Sequence, residues 1–417
     1  MAGATLPALR SSFTFGKCMS SVAAAQSINR ARDPDELTDR AASLVPVLRE
    51  RAAKAAADRK LPDATIDDFQ RLELARCLQP VRFGGYGSDY RVFSRIIRTL
   101  AQGCGSTAWV CGVLGEHNWL IGMFPEEAQH AVWDENPRAL TASSFTPTGK
   151  AVAVSGGFRI SGRWTYSSGC DHAQWALLGA FVEGSGEPPQ ERVFLVPMQG
   201  ATILDDWHVL GLSATGSKSI VFSETFVPAT RSLTPLEMKT GKVPGAALHP
   251  GYPLYGAPRS LFSTYSLASV PVGLAERAVK DFVALTRDRV SRGTRVAELE
   301  TMQLTVAEAT ARAETAAMLV ETTCERNHAA LVAGKDLTME RVAWSKRNSA
   351  YATRLALEAV TAIFHAAGTS ALSCDHPLQA LYCDTTAGAA HLALTWNRNA
   401  RPYGQSRLGI PIDFDVL

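Results

Sequence analysis

The spacing of hydrophobic positions changes twice along this chain. From about Glu36 to Arg138 apolar residues recur at helical spacing, and Leu44, Leu48, Ala52 and Ala55 trace one face. Pro46 lies near the start of that stripe, so a helix begins or kinks there. Thr65 and Asp68 have the spacing of a capping box and predict a second helix that stops before Pro80. The run PVRFGGYGSDY, with Gly84, Gly85 and Gly87, predicts a loop, and Ser106 to Phe124 a largely apolar helix. Pro125 suits the first turn of the next helix.

Between Ala139 and Pro228 the period becomes strand-like. Val152, Val154, Phe158, Ile160, Trp164 and Tyr166 flank the turn pair Gly156-Gly157. Trp175 to Val182, Val193 to Pro197 and Ser219 to Val227 predict further strands, separated by GSGEPP and GLSATGSKS. Leu233 to Pro258 reads as loop, with Gly and Pro at short intervals. From about Ser260 to Trp396 the helical period returns. Leu355, Ala359, Ile363 and Ala366 form one stripe that Gly368 ends, and the alanines from Ala307 to Ala317 permit the close packing of a four-helix bundle. The predicted domains are helical (33–138), β (139–233) and helical bundle (234–417), preceded by a tail (1–32).

Composition narrows the classes of function. A chain of 417 residues holds two or three domains, and its net charge of +2 gives no electrostatic footprint for nucleic acid. No apolar run reaches the ~18 residues a bilayer span needs. The eight cysteines are scattered without paired short spacings, which predicts a reduced, cytoplasmic setting. Residues 1–32 carry Arg10, Lys17, Arg30 and Arg32 and no acid before Asp33. That composition resembles a transit peptide, but a tail, or a true start at Met19, is the simpler reading.

Motif chemistry alone is sparse. In GLSATGSKS the lysine falls one residue late for a phosphate loop, and a strand pattern follows where a helix is required. Cys170-Asp171-His172 and Cys374-Asp375-His376 lack the second pair of a closed zinc site. No G-x-S-x-G elbow and no nicotinamide fingerprint is present.

Several longer stretches carry a resemblance. RFGGYG, SGRWTYSSGCDHAQW and GLSATGSKSIVFSETFVP resemble, in kind and order, segments of the acyl-CoA dehydrogenase superfamily. CGSTAWVCGVLGEHNWLIGMFPEEAQ, SSFTPTGKA, YSSGCDH and AAHLALTWNRNARPYG are similar to its two-component flavin monooxygenases, the hydroxylases of p-hydroxyphenylacetate and of phenolic steroid-ring intermediates. The resemblance implies a mostly α fold with a central β domain: N-terminal helices, a β-barrel or sandwich, and a C-terminal four-helix bundle. It departs from the dehydrogenases where their base sits. No Asp or Glu occurs between Met238 and Ala275, and the usual C-terminal Y-E-G region reads TWNRNARPYG.

By that resemblance the protein is the oxygenase component of a two-component system. A separate reductase supplies reduced FMN or FAD, and a flavin hydroperoxide formed with dioxygen hydroxylates a small aromatic, phenolic substrate. Trp109, Ser143, Ser168 and Arg292 are expected to bind the flavin, Arg292 by reaching a neighbouring subunit's flavin phosphate in a homotetramer. His117, Ser143, Arg259, Phe262 and His391 are expected around the substrate, with Arg259 and Phe262 clamping its ring. Of the catalytic set His117, Ser143, Ser168 and His391, His391 is expected to be the base that takes the phenolic proton, and His117 the next candidate. The competing expectations are oxygenation at sulfur or nitrogen, an acyl-CoA dehydrogenase with a displaced base, and a binding scaffold without flavin.

Overall fold

A computed structural model describes residues 34–335 and 337–412. The tail expected over residues 1–32 lies outside them. The first half opens with helices α1 (Pro34–Asp58), α2 (Asp63–Arg71), α3 (Tyr90–Ala101), α4 (Gly105–Ile121) and α5 (Glu126–Trp133). Helix α1 runs through Pro46. The capping box expected at Thr65 is not formed. Pro62 precedes the first turn of α2 without a side-chain cap, and Thr65 and Asp68 both take donors from Arg51 of α1. An arginine on the packed neighbour outcompetes the local backbone for those oxygens.

Helix α4 is apolar all round, and every residue except Val113 is buried, so it runs through the centre of the helical core. Seven strands follow: β1 (Thr141–Val154), β2 (Gly157–Ser167), β3 (Trp175–Val182), β4 (Glu191–Pro197), β5 (Thr202–Leu204), β6 (Lys218–Pro228) and β7 (Ser232–Leu233). They form one sheet in the order β5-β6-β2-β1-β3-β4-β7, in which only the β1–β3 pair is parallel. The sheet is strongly curled. Phe158 of β2 and Phe194 of β4 lie three strands apart, yet their ring centroids are 5.2 Å apart. In a flat sheet three spacings amount to roughly 14 Å. The enclosed face buries Ile160, Trp164, Leu178, Ile220 and Phe222, and the outer face gives Leu177, Val193 and Leu195 to the helical core.

The apolar alternation expected over β1 and β2 is only half of what is buried. Ile160 and Trp164 point inward, but Val152 is 45% and Tyr166 73% exposed, and Ala151 takes the buried position of β1. Register irregularities between Ser144 and Gly149, and between Trp164 and Ser167, shift which side chains face in.

The segment expected as loop after Leu233 contains α6 (Pro235–Thr240), started by a capping box between Thr234 and Glu237. Next come α7 (Arg259–Phe262) and the long α8 (Thr264–Arg287). A two-stranded hairpin follows, β8 (Val290–Ser291) and β9 (Thr294–Arg295). The bundle is completed by α9 (Glu300–Val332), α10 (Met339–Ala367) and α11 (Pro377–Ala389), and α12 (Trp396–Arg407) follows. No helix among the described residues is long and apolar enough to cross a membrane.

Candidate active site

Two clusters assemble where α4, the start of β1, the end of β2 and the bundle meet. The first surrounds Ser168. Residue Tyr166 takes a left-handed φ of 61° as β2 ends, and Gly169 follows at 71°. This sharp exit turns Ser168 back toward α4, where a Cβ on Gly169 would stand 2.9 Å from Val110. The indole Nε1 of Trp109 donates to Ser168 Oγ at 3.2 Å, and Ser168 Oγ lies 2.7 Å from Ser217 Oγ. The His391 ring packs edge-on against Trp109 at 5.5 Å.

The second cluster surrounds His117, two turns further along α4. Its Nδ1 donates to the Thr141 carbonyl at 2.5 Å, so the lone pair of the neutral ring is on Nε2. Ser143 lies on the same face of β1 as Thr141 and Phe145, partly exposed. Phe145 stands edge-on to His117 at 5.9 Å and carries the Arg259 guanidinium 3.7 Å above its centroid. Arg259 Nε is sealed from solvent and has no hydrogen-bond partner. Glu116 is buried beside this group and accepts from Tyr90 at 2.8 Å and from Ser266.

Arg259 does not pair with Phe262 as expected. Phe262 is fully buried, stacked on Tyr90 at 5.4 Å and edge-on to Trp119 at 6.2 Å. The short helix α7 turns it into the core, and the ring beneath the guanidinium comes from β1 instead. Arg292 also stands apart from both clusters. It is exposed at the tip of the β8–β9 hairpin with a left-handed φ of 50°.

Electrostatics separate the two histidines from their ordinary behaviour. Burial, with the Arg259 charge, lowers His117 to about 4. Crowding by surrounding protein and the same guanidinium lower His391 to about 4, yet its ring still reaches solvent. Both imidazoles are therefore neutral at pH 7, and they differ in which nitrogen is free. His391 Nδ1 accepts from the Ala393 amide at 3.2 Å, which leaves the ring proton on Nε2. His391 thus presents a donor, His117 an acceptor. Burial raises the Glu116 carboxyl even though Arg259 opposes the shift, and burial lowers Arg259 in turn.

Residues 265–396 match the acyl-CoA dehydrogenase C-terminal domain family. Over 390 residues the chain is 34% identical to the oxygenase component of an FADH(2)-dependent resorcinol hydroxylase from Rhizobium sp. (strain MTP-10005), covering 90% of this chain and 94% of that protein. The chain belongs to the oxygenase components of two-component flavin-dependent monooxygenases. Among solved members, the 3-HSA hydroxylase of Rhodococcus sp. RHA1 superimposes with a TM-score of 0.88 at 32% identity, over 92% of this chain and 99% of that one. XiaF from Streptomyces sp., solved with FADH2 and glycerol, gives a TM-score of 0.83 at 27% identity over 94% and 98%.

The Ser168 cluster fits a reduced flavin of this oxygenase family on its own chemistry. It offers a buried hydroxyl with lone-pair capacity and a flat indole wall, without a charge that would penalise a largely apolar ring. Sequence reasoning overlooked Glu116, Phe145, Thr215 and Ser217. Glu116 had a readable signal, an acid in the middle of a helix apolar on every side. The other three look like ordinary loop and strand residues until the fold brings them together.

Proposed function

We propose that this oxygenase component receives reduced flavin from a separate reductase and hydroxylates a small phenolic ring bound against the His117–Phe145–Arg259 cluster. The reduced flavin, when bound, supplies the electrons that activate dioxygen; one oxygen atom enters the ring and the other leaves as water. Ser168 and Trp109 hold the flavin's edge, and His391 closes the lip of the cleft as a donor. The observation that carries this reading is the arrangement of opposite hydrogen-bonding characters around Arg259. His117 Nε2 has a free lone pair, and no other side chain engages the Arg259 Nε–H.

That arrangement suits a phenol. Its hydroxyl donates to His117 Nε2 and its oxygen faces the guanidinium, which stabilises negative charge as the proton leaves. The role of proton acceptor thus passes from His391 to His117, because only His117 has its lone pair free. Phe145 supplies a wall for the ring, and the surrounding core excludes water that would otherwise divert the oxygen to hydrogen peroxide.

The exposed hairpin carrying Arg292 supports a homotetramer in which that arginine reaches a flavin phosphate of another subunit. A cytoplasmic location beside the reductase follows from the same reading. The test is to bind anaerobically reduced FAD or FMN, add resorcinol or p-hydroxyphenylacetate, and mix with oxygen. Hydroxylated product in proportion to flavin consumed is expected. Stoichiometric hydrogen peroxide with every phenol tried would refute the assignment.

A further inference from the structure

Ser168 does not act alone. Its Oγ lies 2.7 Å from Ser217 Oγ, which lies 2.7 Å from Thr215 Oγ1, which donates to the Leu212 carbonyl at 2.8 Å. Ser168, Ser217, Thr215 and Leu212 are all buried, so water does not compete for these bonds.

The direction of every bond in this chain follows from its end. A carbonyl cannot donate, so Thr215 spends its only hydroxyl proton on Leu212. Ser217 must then donate to Thr215, and Ser168 to Ser217. At the other end the Trp109 Nε1–H donates into Ser168 at 3.2 Å. Ser168 therefore has no proton to offer a ligand and one lone pair to receive one.

The terminus itself is held firmly. Leu212 has a left-handed φ of 54°, and its amide donates to Asp384 Oδ1 of α11 at 2.6 Å. One residue earlier, a Cβ on Gly211 would stand 2.2 Å from the Cys383 carbonyl, so the loop backbone lies directly on the bundle.

We propose that Thr215 and Ser217 are positioning residues that lock Ser168 as a hydrogen-bond acceptor, so that the site favours reduced over oxidised flavin. The inference rests on the reading that Ser168 faces the flavin ring. The reduced ring carries an N–H at the position where the oxidised ring has only a lone pair. An acceptor-only serine bonds the first and repels the second.

The test is the ratio of affinities for oxidised and anaerobically reduced FAD in the full-length protein, with Thr215→Val, Thr215→Ser and Ser217→Ala. Valine keeps the shape of threonine and removes the hydroxyl. The Ser217 proton must then turn to Ser168, freeing Ser168 to donate to the oxidised ring. The parent and Thr215→Ser are expected to prefer reduced FAD to a similar degree. Thr215→Val and Ser217→Ala are expected to lower that preference about ten-fold, the effect of one hydrogen bond. An unchanged ratio in both variants, or equal weakening of both redox forms, overturns the relay. A parent that binds neither form refutes the flavin reading itself, and the relay with it.

Discussion

Replacing His117 by glutamine separates a base from a mere hydrogen-bond acceptor. The amide oxygen of the introduced glutamine can take the phenol's hydrogen bond but has no useful basicity, so the substrate stays in place while its proton has nowhere to go. The magnitude follows from the pocket. A phenol has an ordinary pKa of ~10, and burial with the Arg259 charge lowers the imidazole to about 4. Moving the proton from bound phenol to His117 in the resting complex is therefore uphill by about six units, or roughly 8 kcal/mol. The Arg259 charge stabilises the phenolate by a further ~1–3 units' worth, which does not close the gap.

On the proposed reading, the substrate therefore binds as neutral phenol. In that reading His117 takes the proton only as the ring gives up electrons to the incoming oxygen and its hydroxyl becomes strongly acidic. Two measurements follow. Difference spectra of substrate bound to the protein at pH 7 should show no phenolate absorbance. His117→Gln should bind the phenol within about three-fold of the parent yet lower the rate of hydroxylation by ~10²–10⁴-fold, with hydrogen peroxide taking up the difference. Partial recovery is expected as the pH approaches the phenol's own titration. A phenolate spectrum at neutral pH, or a glutamine variant that couples oxygen to product as well as the parent, refutes this reasoning.

Other outcomes follow from the same contacts. His391→Gln, which keeps an N–H donor, should retain most of the coupling, whereas His391→Leu should release mainly peroxide; equal failure of both would restore His391 as the base. Arg259→Lys loses the planar stack on Phe145 and should weaken phenol binding by roughly ten-fold in equilibrium titration. Gly211→Ala forces a methyl into the Cys383 carbonyl and should cost about 1–3 kcal/mol or more in urea unfolding. The folded pKa of His117 is depressed from its ordinary 6.5 to about 4, so the stability involved is present above pH 6.5 and lost as pH falls toward 4. Between pH 7 and 4.5 the parent should lose about 2–3 kcal/mol more than His117→Gln by urea unfolding.

The helix–sheet–helix order was legible because each segment keeps one hydrophobic period long enough to be read. The stripe of Leu355, Ala359 and Ile363 lies buried on α10, and Gly368 ends that helix. Local signals failed where a distant residue intervened. Arg51 took the oxygens expected to cap α2, and the irregular, left-handed end of β2 exposed Tyr166. The resemblance named His117, Ser168, Trp109 and His391 as site residues and ranked His391 ahead of His117 as the base, but it carried no information on which ring nitrogen of each is free. That distinction depends on the Thr141 carbonyl and the Ala393 amide, and backbone groups carry no sequence signature.

The buried acid beside the site bears on why this fold performs oxygenation here and not dehydrogenation. A dehydrogenase needs a carboxylate free to remove a proton next to a thioester, and Glu116 is the acid placed beside the candidate pocket. Its Oε2 already accepts from both Tyr90 and Ser266, and its charge faces Arg259. To act as a base it would have to give up two hydrogen bonds and leave a buried guanidinium uncompensated, which costs several kcal/mol. Glu116 is better understood as the counter-charge that lets Arg259 remain ionised in the core. With the acid committed to that task, the neutral His117 is the proton acceptor the proposed reading assigns. A neutral imidazole beside a guanidinium favours a substrate that becomes acidic as it reacts, as a phenol does. Glu116→Gln should then retain the fold but shift Arg259 toward solvent, weakening phenol binding more than it slows any proton abstraction from an acyl thioester. Crotonyl product from a butyryl thioester that disappears in Glu116→Gln would instead make Glu116 the displaced base of a dehydrogenase.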